Sequence, residues 1–88
     1  MKWQVAFDPA AERQFSKLGK SAQREIEKYI ASHLETEQDP RRFGKPLLSI
    51  KNAWRYRVGD YRLVCAIQYQ QVTVPILKVG YRRDVYES

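Results

Sequence analysis

An alternation of large and charged side chains that begins at Trp54 constrains the fold more than any other feature of this sequence. Trp54, Tyr56 and Val58 alternate with Arg55 and Arg57. A period of two is typical of a β-strand with one buried and one open face. The sequence therefore predicts a sheet whose open face carries arginine side chains.

Gly59-Asp60 follows this strand and is predicted to form a two-residue hairpin turn, because glycine in the first position suits such turns. Counting across the turn places Arg57 directly opposite Arg62; the full set of predicted pairs is Val58 with Tyr61, Arg57 with Arg62 and Tyr56 with Leu63. Like charges directly opposite each other destabilise a sheet. A phosphate between two guanidinium groups turns this repulsion into attraction, so the pair indicates a phosphate-binding site.

The same counting extends through a second predicted turn at Gln70-Gln71. It pairs Tyr69 with Val72, Cys65 with Ile76, and Val64 with Leu77. The predicted covered face comprises Trp54, Tyr56, Val58, Tyr61, Leu63, Cys65, Ile67, Tyr69, Val72, Val74 and Ile76. The predicted open face comprises Arg55, Arg57, Arg62, Val64, Ala66, Leu77 and Val79. Pro75 cannot donate a ladder hydrogen bond, so its strand must be an edge at that point or contain a bulge.

The residues before the meander predict one strand and two helices. KWQVAF at residues 2–7 alternates as a strand, and Asp8-Pro9 is a good start for the helix AAERQFSKL, which Gly19 would end. Ser21 is predicted to cap a second helix over residues 21–37. Apolar residues follow helical spacing in both: Ala11, Phe15 and Leu18 in the first, and Ala22, Ile26, Tyr29, Ile30, His33 and Leu34 in the second.

These elements predict a single α+β domain over residues 1–88. Its order is an N-terminal strand, a two-helix hairpin and a three-stranded antiparallel meander (β-α-α-β-β-β), with the helices packed on one face of the sheet. A chain of 88 residues is long enough for one hydrophobic core.

The positive charge of the chain is confined to one region. The net charge is +6, yet residues 1–40 contain six Lys/Arg against seven Asp/Glu, whereas residues 41–83 contain ten Lys/Arg against Asp60 alone. Such segregation is typical of a polyanion partner, and it favours a nucleic acid over a merely soluble basic surface.

Composition argues against several other classes of protein. A single cysteine excludes an internal disulfide, and neither Cys65 nor His33 has partners at metal-ligand spacing, so no metal or other cofactor is expected. Cys65 is instead expected to be a small buried hydrophobe. Neither a signal-peptide core nor an apolar run of membrane-spanning length is present, which predicts a cytoplasmic protein without membrane contact.

The segments WRYRVGDYRLVCAI and KVGYRRDVY resemble the RelE/ParE superfamily of bacterial toxins, particularly the RelE-like mRNA interferases. The resemblance covers essentially all 88 residues and rests on the order and spacing of several short motifs. It implies an endoribonuclease that inhibits translation by cleaving mRNA, on the translating ribosome, without a metal. It also implies a cognate antitoxin encoded by an adjacent gene.

The resemblance assigns catalytic roles to five residues: Arg55, Arg57, Arg62, Arg82 and Tyr86. In the family, basic residues bind and neutralise the phosphate, and the C-terminal tyrosine is the proposed base. The positions of Arg55 and Arg57 are often lysines in the family, and lysine can release a proton to the leaving group, whereas arginine does so poorly. Tyr81 replaces a residue that is often histidine or lysine.

Basic residues outside the strands are candidates for contacts to RNA phosphates: Arg41, Arg42, Lys45 and Lys51 in the linker, and Arg83 in the tail. Such contacts would add affinity without sequence choice, and a solvated loop is the alternative for each linker residue. Two other functions stay open. One is a ParE-like toxin that inhibits DNA gyrase without nuclease activity, and the other is a nucleic-acid binder without chemistry.

Overall fold

The computed structural model describes residues 2–68 and 71–81, and in these residues two helices cover one face of a five-stranded sheet. The elements in chain order are β1 (Gln4–Phe7), α1 (Pro9–Ser16), α2 (Lys20–Tyr29), a π-helical turn (Ile30–Leu34), a 3-10 turn (Pro40–Phe43), β2 (Lys45–Pro46), β3 (Ala53–Val58), β4 (Tyr61–Ala66) and β5 (Thr73–Tyr81). The predicted α+β architecture is confirmed. The short strand β2 lies in the segment that was predicted to be a linker.

The strand order is β1-β5-β4-β3-β2, which places the last strand in the interior of the sheet and the first strand at an edge. β1 runs parallel to β5, and the other pairs are antiparallel. A parallel pair requires a long crossover connection, which the helices and the meander provide here. The backbone amides of Gln4 and Asp8 donate to the carbonyls of Val72 and Ile76, both at 2.9 Å, and so fix β1 beside β5.

The two helices begin and end at slightly different residues from those predicted. Gly19 is the N-cap of α2, and the helix starts at Lys20. The prediction that Ser21 caps this helix is therefore wrong, because the chain is already helical there. The Gln23 side-chain amide donates to the carbonyls of Phe15 and Leu18, both at 3.1 Å, which satisfies the carbonyl groups at the end of α1.

The core lies between the helices and the sheet, along the seam that the helical spacing predicts. Its buried members are Ala11, Ile26, Ile30, Leu34, Tyr56, Val58, Leu63, Cys65, Ile67, Val74, Ile76 and Val79, with half-buried Trp3, Val5, Phe7, Phe15, Leu18, Tyr29, Trp54 and Tyr61 packed around them. Cys65 is fully buried, as expected, and burial raises the pKa of its thiol to about 12. The thiol therefore stays protonated and unreactive at neutral pH.

The predicted register between β3 and β4 is confirmed at every predicted pair. Val58 lies opposite Tyr61, Arg57 opposite Arg62, and Tyr56 opposite Leu63. The turn requires glycine at position 59, because its φ is +59° and the Glu25 carboxylate occupies the place that a Cβ would take.

The predicted register between β4 and β5 is confirmed only in part. Cys65 pairs with Ile76, as predicted, but a bulge shifts the next pair, so that Val64 lies opposite Lys78 rather than Leu77. The predicted pair of Tyr69 with Val72 lies outside the described residues. One extra residue reverses every side chain beyond it.

The bulge corrects the predicted faces at two positions. Val79, predicted on the open face, is 3% exposed and belongs to the core, whereas Lys78 lies on the open face opposite Val64. Pro75 lies just beyond Cys65–Ile76, the last pair between β4 and β5. The missing N–H of Pro75 therefore costs no ladder hydrogen bond to β4. The strand lacks a β4 partner at Pro75 and contains a bulge nearby, so both predicted ways of placing the proline occur close to it.

A second, smaller apolar cluster covers one end of the open face. Ala53 and Val64 are buried there beneath half-buried Leu47 and Ile50. On the other side of β3, the buried Tyr56 hydroxyl donates to the Pro40 carbonyl at 2.9 Å. These contacts hold the segment between the helices and β3 against the sheet. Within the described part of the chain, no helix is long and apolar enough to cross a membrane.

Candidate functional site

Basic side chains form two adjacent rows across the open face of the sheet. Register places Lys45, Arg55, Val64 and Lys78 in one row, and Arg57, Arg62 and Gly80 in the next. Residues directly opposite in neighbouring strands share a face, so five cations belong to one surface. We call Lys45, Arg55, Arg57, Arg62 and Lys78 the basic face.

Arg57 and Arg62 are two like charges that face each other directly on the basic face. They occupy directly opposite positions on β3 and β4. Arg62 is only 6% exposed, and its Nη1 donates to the Tyr61 carbonyl at 3.2 Å, whereas Arg57 is exposed. Guanidinium groups bind phosphate oxygens through paired, charge-assisted hydrogen bonds. The arrangement therefore suits a bound phosphate.

The row that contains Arg55 has basic residues on both sides of one buried apolar residue, Val64. Arg55 and Lys78 are half-buried on either side of Val64, and Lys45 is exposed at the edge of the sheet. Gly80 adds no side chain beside Arg62.

Lys78 is the member of the basic face that sequence reasoning missed. The unbroken register paired Val64 with Leu77, which would place Lys78 on the covered face. Pro75 was the feature of the sequence that indicated an irregular register, since proline within a strand predicts a bulge or an edge. A bulge between Pro75 and Val79 reverses the faces and brings Lys78 beside Arg55 and Arg62.

The predicted RNA-binding residues of the linker do not all join the basic face. Lys45 does, because it pairs with Arg55. Arg41 forms an ion pair with Asp39 at 2.9 Å, and the Arg42 guanidinium donates to the Gln38 amide oxygen at 3.0 Å, both around the 3-10 turn. Lys51 is exposed before the start of β3, six residues from Arg57, which corresponds to roughly 20 Å of extended chain.

The predicted tail residues Arg82, Arg83 and Tyr86 lie outside the described residues. The last described residue, Tyr81, pairs with Tyr61 at the end of β5, and their rings stack with centroids 5.0 Å apart. Gly80, the residue before it, lies opposite Arg62. The described part of β5 thus ends one residue beyond the row that contains Arg57 and Arg62.

Three tyrosines of the described region are poor proton acceptors at neutral pH. Burial raises the pKa of Tyr29 and of Tyr56, and a hydrogen bond with the Tyr81 hydroxyl raises the pKa of Tyr61. His33 stacks on Tyr29 with ring centroids 4.3 Å apart and meets the edge of Phe43, so it has a packing role on the helix side. Residues 2–68 and 71–81 contain no group of three His, Cys, Asp or Glu side chains able to hold a metal ion.

The sequence was compared with known protein families. Residues 5–86 match the family described as "ParE toxin of type II toxin-antitoxin system, parDE". The match begins in β1 and continues past the end of β5, so it includes both rows of the basic face. The chain belongs to the RelE/ParE superfamily of type II toxin–antitoxin toxins.

Relatives with RelE-type names are similar to this toxin along almost its whole length. Toxin RelG of Mycobacterium tuberculosis is 33% identical over 87 residues, which are 98% of each chain. In the RelBE2 toxin–antitoxin complex of the same organism, one chain superposes with a TM-score of 0.79 at 31% identity, covering 93% of this toxin and 100% of that chain. A chain of the archaeal RelE–RelB complex from Pyrococcus horikoshii gives 0.74 at 25% identity, covering 96% and 99%.

Proposed function

We propose that this toxin is an mRNA interferase, an endoribonuclease that cleaves mRNA on the translating ribosome and thereby inhibits translation. The observation that carries the proposal is the facing pair of Arg57 and Arg62, with Arg62 almost fully buried. A sequence selected for folding alone has no reason to oppose two guanidinium groups in a sheet. The planar fork of a guanidinium group suits the oxygens of a phosphodiester, and two such groups face each other here.

The proposed reaction uses the substrate's own 2′-hydroxyl as the nucleophile. Its oxygen attacks the adjacent phosphorus, the bond from phosphorus to the 5′ oxygen breaks, and a 2′,3′-cyclic phosphate forms. Arg55, Arg57 and Arg62 stabilise the extra negative charge of the pentavalent transition state, because preorganised cations act most strongly where charge develops. This chemistry requires neither a metal nor an organic cofactor.

The tail completes the proposed site. By resemblance to the family, Tyr86 removes the proton from the 2′-hydroxyl, and Arg82 adds positive charge next to the phosphate. The tyrosines near α2 and the hairpin turn are unsuitable for this role, since the pKa values of Tyr29, Tyr56 and Tyr61 are raised. Neighbouring arginines favour the ionised form of a tyrosine, which is the form that a base requires.

The proposed contacts to the rest of the RNA are weaker and lie around the basic face. Lys45 extends the row of Arg55 to the edge of the sheet, and Arg83 follows Arg82 in the tail. Arg41, Arg42 and Lys51 are proposed to meet phosphates farther along the strand. Arg41 would first have to leave its ion pair with Asp39, so its contribution should be the smallest.

We also propose a cognate antitoxin, encoded by an adjacent gene, as the protein partner in the cytoplasm. Two of the similar solved structures are complexes of a RelE-type toxin with its antitoxin. The concentration of positive charge on residues 41–83 suits an acidic or amphipathic segment that covers the basic face or displaces the tail. Co-expression with the neighbouring gene should give a stable complex that no longer cleaves RNA.

A ParE-like toxin that inhibits DNA gyrase is the second candidate function, because the matching family is described by that name. The two candidates make opposite predictions in two assays. An mRNA interferase cleaves mRNA on programmed ribosomes and leaves gyrase supercoiling unchanged. A gyrase inhibitor blocks supercoiling and leaves the mRNA intact, and this second result would overturn the proposal.

A further inference from the structure

Lys78 reaches the basic face only because of the bulge in β5. Cys65 pairs with Ile76 and Val64 pairs with Lys78, so Leu77 is the extra residue of the longer strand. Beyond the bulge, Val79 turns into the core, where it is 3% exposed. Since neighbouring residues of a strand face opposite sides of the sheet, the burial of Val79 independently places Lys78 on the open face.

The position of Lys78 is close to the arginines that would hold the scissile phosphate. Val64 pairs with Lys78 and Arg62 pairs with Gly80, so Lys78 and Arg62 are diagonal neighbours on adjacent strands. Such neighbours lie roughly 7–8 Å apart, within reach of long side chains. Arg55 belongs to the same row two strands away, at about 10 Å. Lys78 and Arg62 are therefore close enough for one phosphate to contact both side chains.

The arginines leave one chemical requirement of the proposed reaction unmet. The departing 5′ oxygen is a poor leaving group as an alkoxide and needs a proton in the transition state. A guanidinium group remains protonated in proteins and cannot supply it, whereas an ammonium group can release a proton. On the basic face, only Lys45 and Lys78 carry an ammonium group.

We propose that Lys78 is the general acid of the cleavage reaction, an inference that rests on the proposed nuclease function. As the bond between phosphorus and the 5′ oxygen breaks, the Lys78 ammonium transfers one proton to that oxygen and becomes a neutral amine. The product is a free 5′-hydroxyl. The proton that the base takes from the 2′-hydroxyl balances the proton that Lys78 gives, and the amine is reprotonated from water.

Lys45 is the alternative candidate for the general acid, since both lysines belong to the same row. Lys45 is exposed on the two-residue edge strand β2, next to Arg55. Lys78 is half-buried on the interior strand β5, diagonal to Arg62. The general acid must be held near the leaving oxygen, and the half-buried position diagonal to Arg62 meets this condition better than the exposed edge.

The test replaces Lys78 by arginine, which keeps the positive charge and removes the releasable proton. Single-turnover cleavage on programmed ribosomes is measured with normal mRNA and with mRNA whose scissile 5′ oxygen is replaced by sulfur, a leaving group that needs no proton. Lys78→Arg should slow cleavage of normal mRNA by about 10²–10⁴-fold, the range for a lost general acid. The sulfur substrate should restore its rate to within a fewfold of wild type.

Lys28→Arg, the same change at an exposed position of α2, should cleave both substrates at nearly the wild-type rate. Lys78→Gln serves as the second variant if the arginine does not fit the half-buried position, and sulfur should again restore most of the rate lost. Wild-type cleavage of normal mRNA by Lys78→Arg, or slow cleavage that sulfur does not restore, would overturn the assignment while the nuclease function stands. Failure of the wild-type protein to cleave either substrate would overturn the nuclease function and this inference together.

Discussion

The register between β3 and β4 and the register between β4 and β5 are determined in different ways. β3 and β4 meet through a two-residue turn, and each predicted pair between them is present. β4 and β5 are joined by the longer segment between Ala66 and Thr73, and their register shifts within the ladder. A tight turn fixes the register by its own geometry, whereas a longer connection leaves the register to the packing of the side chains.

The difference determines which residues reach the basic face. The regular pairing brings Arg57 opposite Arg62, and the shifted pairing brings Lys78 beside them while Val79 enters the core. The arginines that face each other thus come from the β3–β4 pair, whose register is set locally by the turn. The additional lysine comes from the β4–β5 pair, whose register is set by tertiary packing.

A charge at Val79 should disrupt the shifted pairing of β4 and β5 with the largest loss of stability. Val79→Asp buries an unpaired carboxylate in the core, a cost of several kcal/mol against a total stability of about 5–15 kcal/mol for a domain. We expect this variant to unfold in thermal denaturation followed by circular dichroism, and Val79→Ala to lose about 1–3 kcal/mol.

Leu77→Asp is the matched control, because Leu77 is half-buried at the bulge. It should remain folded at the temperature at which Val79→Asp is unfolded. In the unbulged register both residues would lie on the open face, so equal tolerance of the two substitutions would contradict the observed pairing.

Changing Gly59 tests the regular pairing and should have a medium effect. Gly59→Ala places a Cβ at a φ of +59°, where it meets the Glu25 carboxylate. The backbone strain alone costs about 1–2 kcal/mol, and the close contact adds to it. Urea denaturation should separate the two causes, since Glu25→Ala in the same chain removes the contact and leaves the strain. An unchanged midpoint for Gly59→Ala would show that the turn does not set the register.

Replacing Pro75 should have the smallest effect. Pro75→Val introduces an N–H just beyond the last pair between β4 and β5, so the new donor gains no ladder partner. The variant loses only the restriction that proline places on the unfolded chain, about 0.4–1 kcal/mol. A clear increase in the urea midpoint would indicate that the N–H has joined a ladder and that β4 pairs beyond Cys65.

Sequence periodicity was sufficient to predict those parts of the fold that nearby residues determine. The helical seam, the covered face up to Ile76 and the Arg57–Arg62 pair follow from spacing and one turn. The parallel position of β1 beside β5 depends on contacts distant in sequence, and no local pattern predicts it. The placement of Lys78 required the position of the bulge, which Pro75 signals without specifying the residue at which it occurs.

The central claim is that the basic face binds and cleaves RNA at a phosphate between Arg57 and Arg62. Single-turnover mRNA cleavage on programmed ribosomes by Arg57→Gln tests it most directly, because Arg57 is exposed and its loss should leave the fold intact. Arg24→Gln, an equal change of charge on the exposed side of α2, is the control. We expect Arg57→Gln to cleave about 10²–10³-fold more slowly, with an unchanged melting temperature and a wild-type rate for Arg24→Gln. Equal cleavage rates for the two variants would contradict the claim.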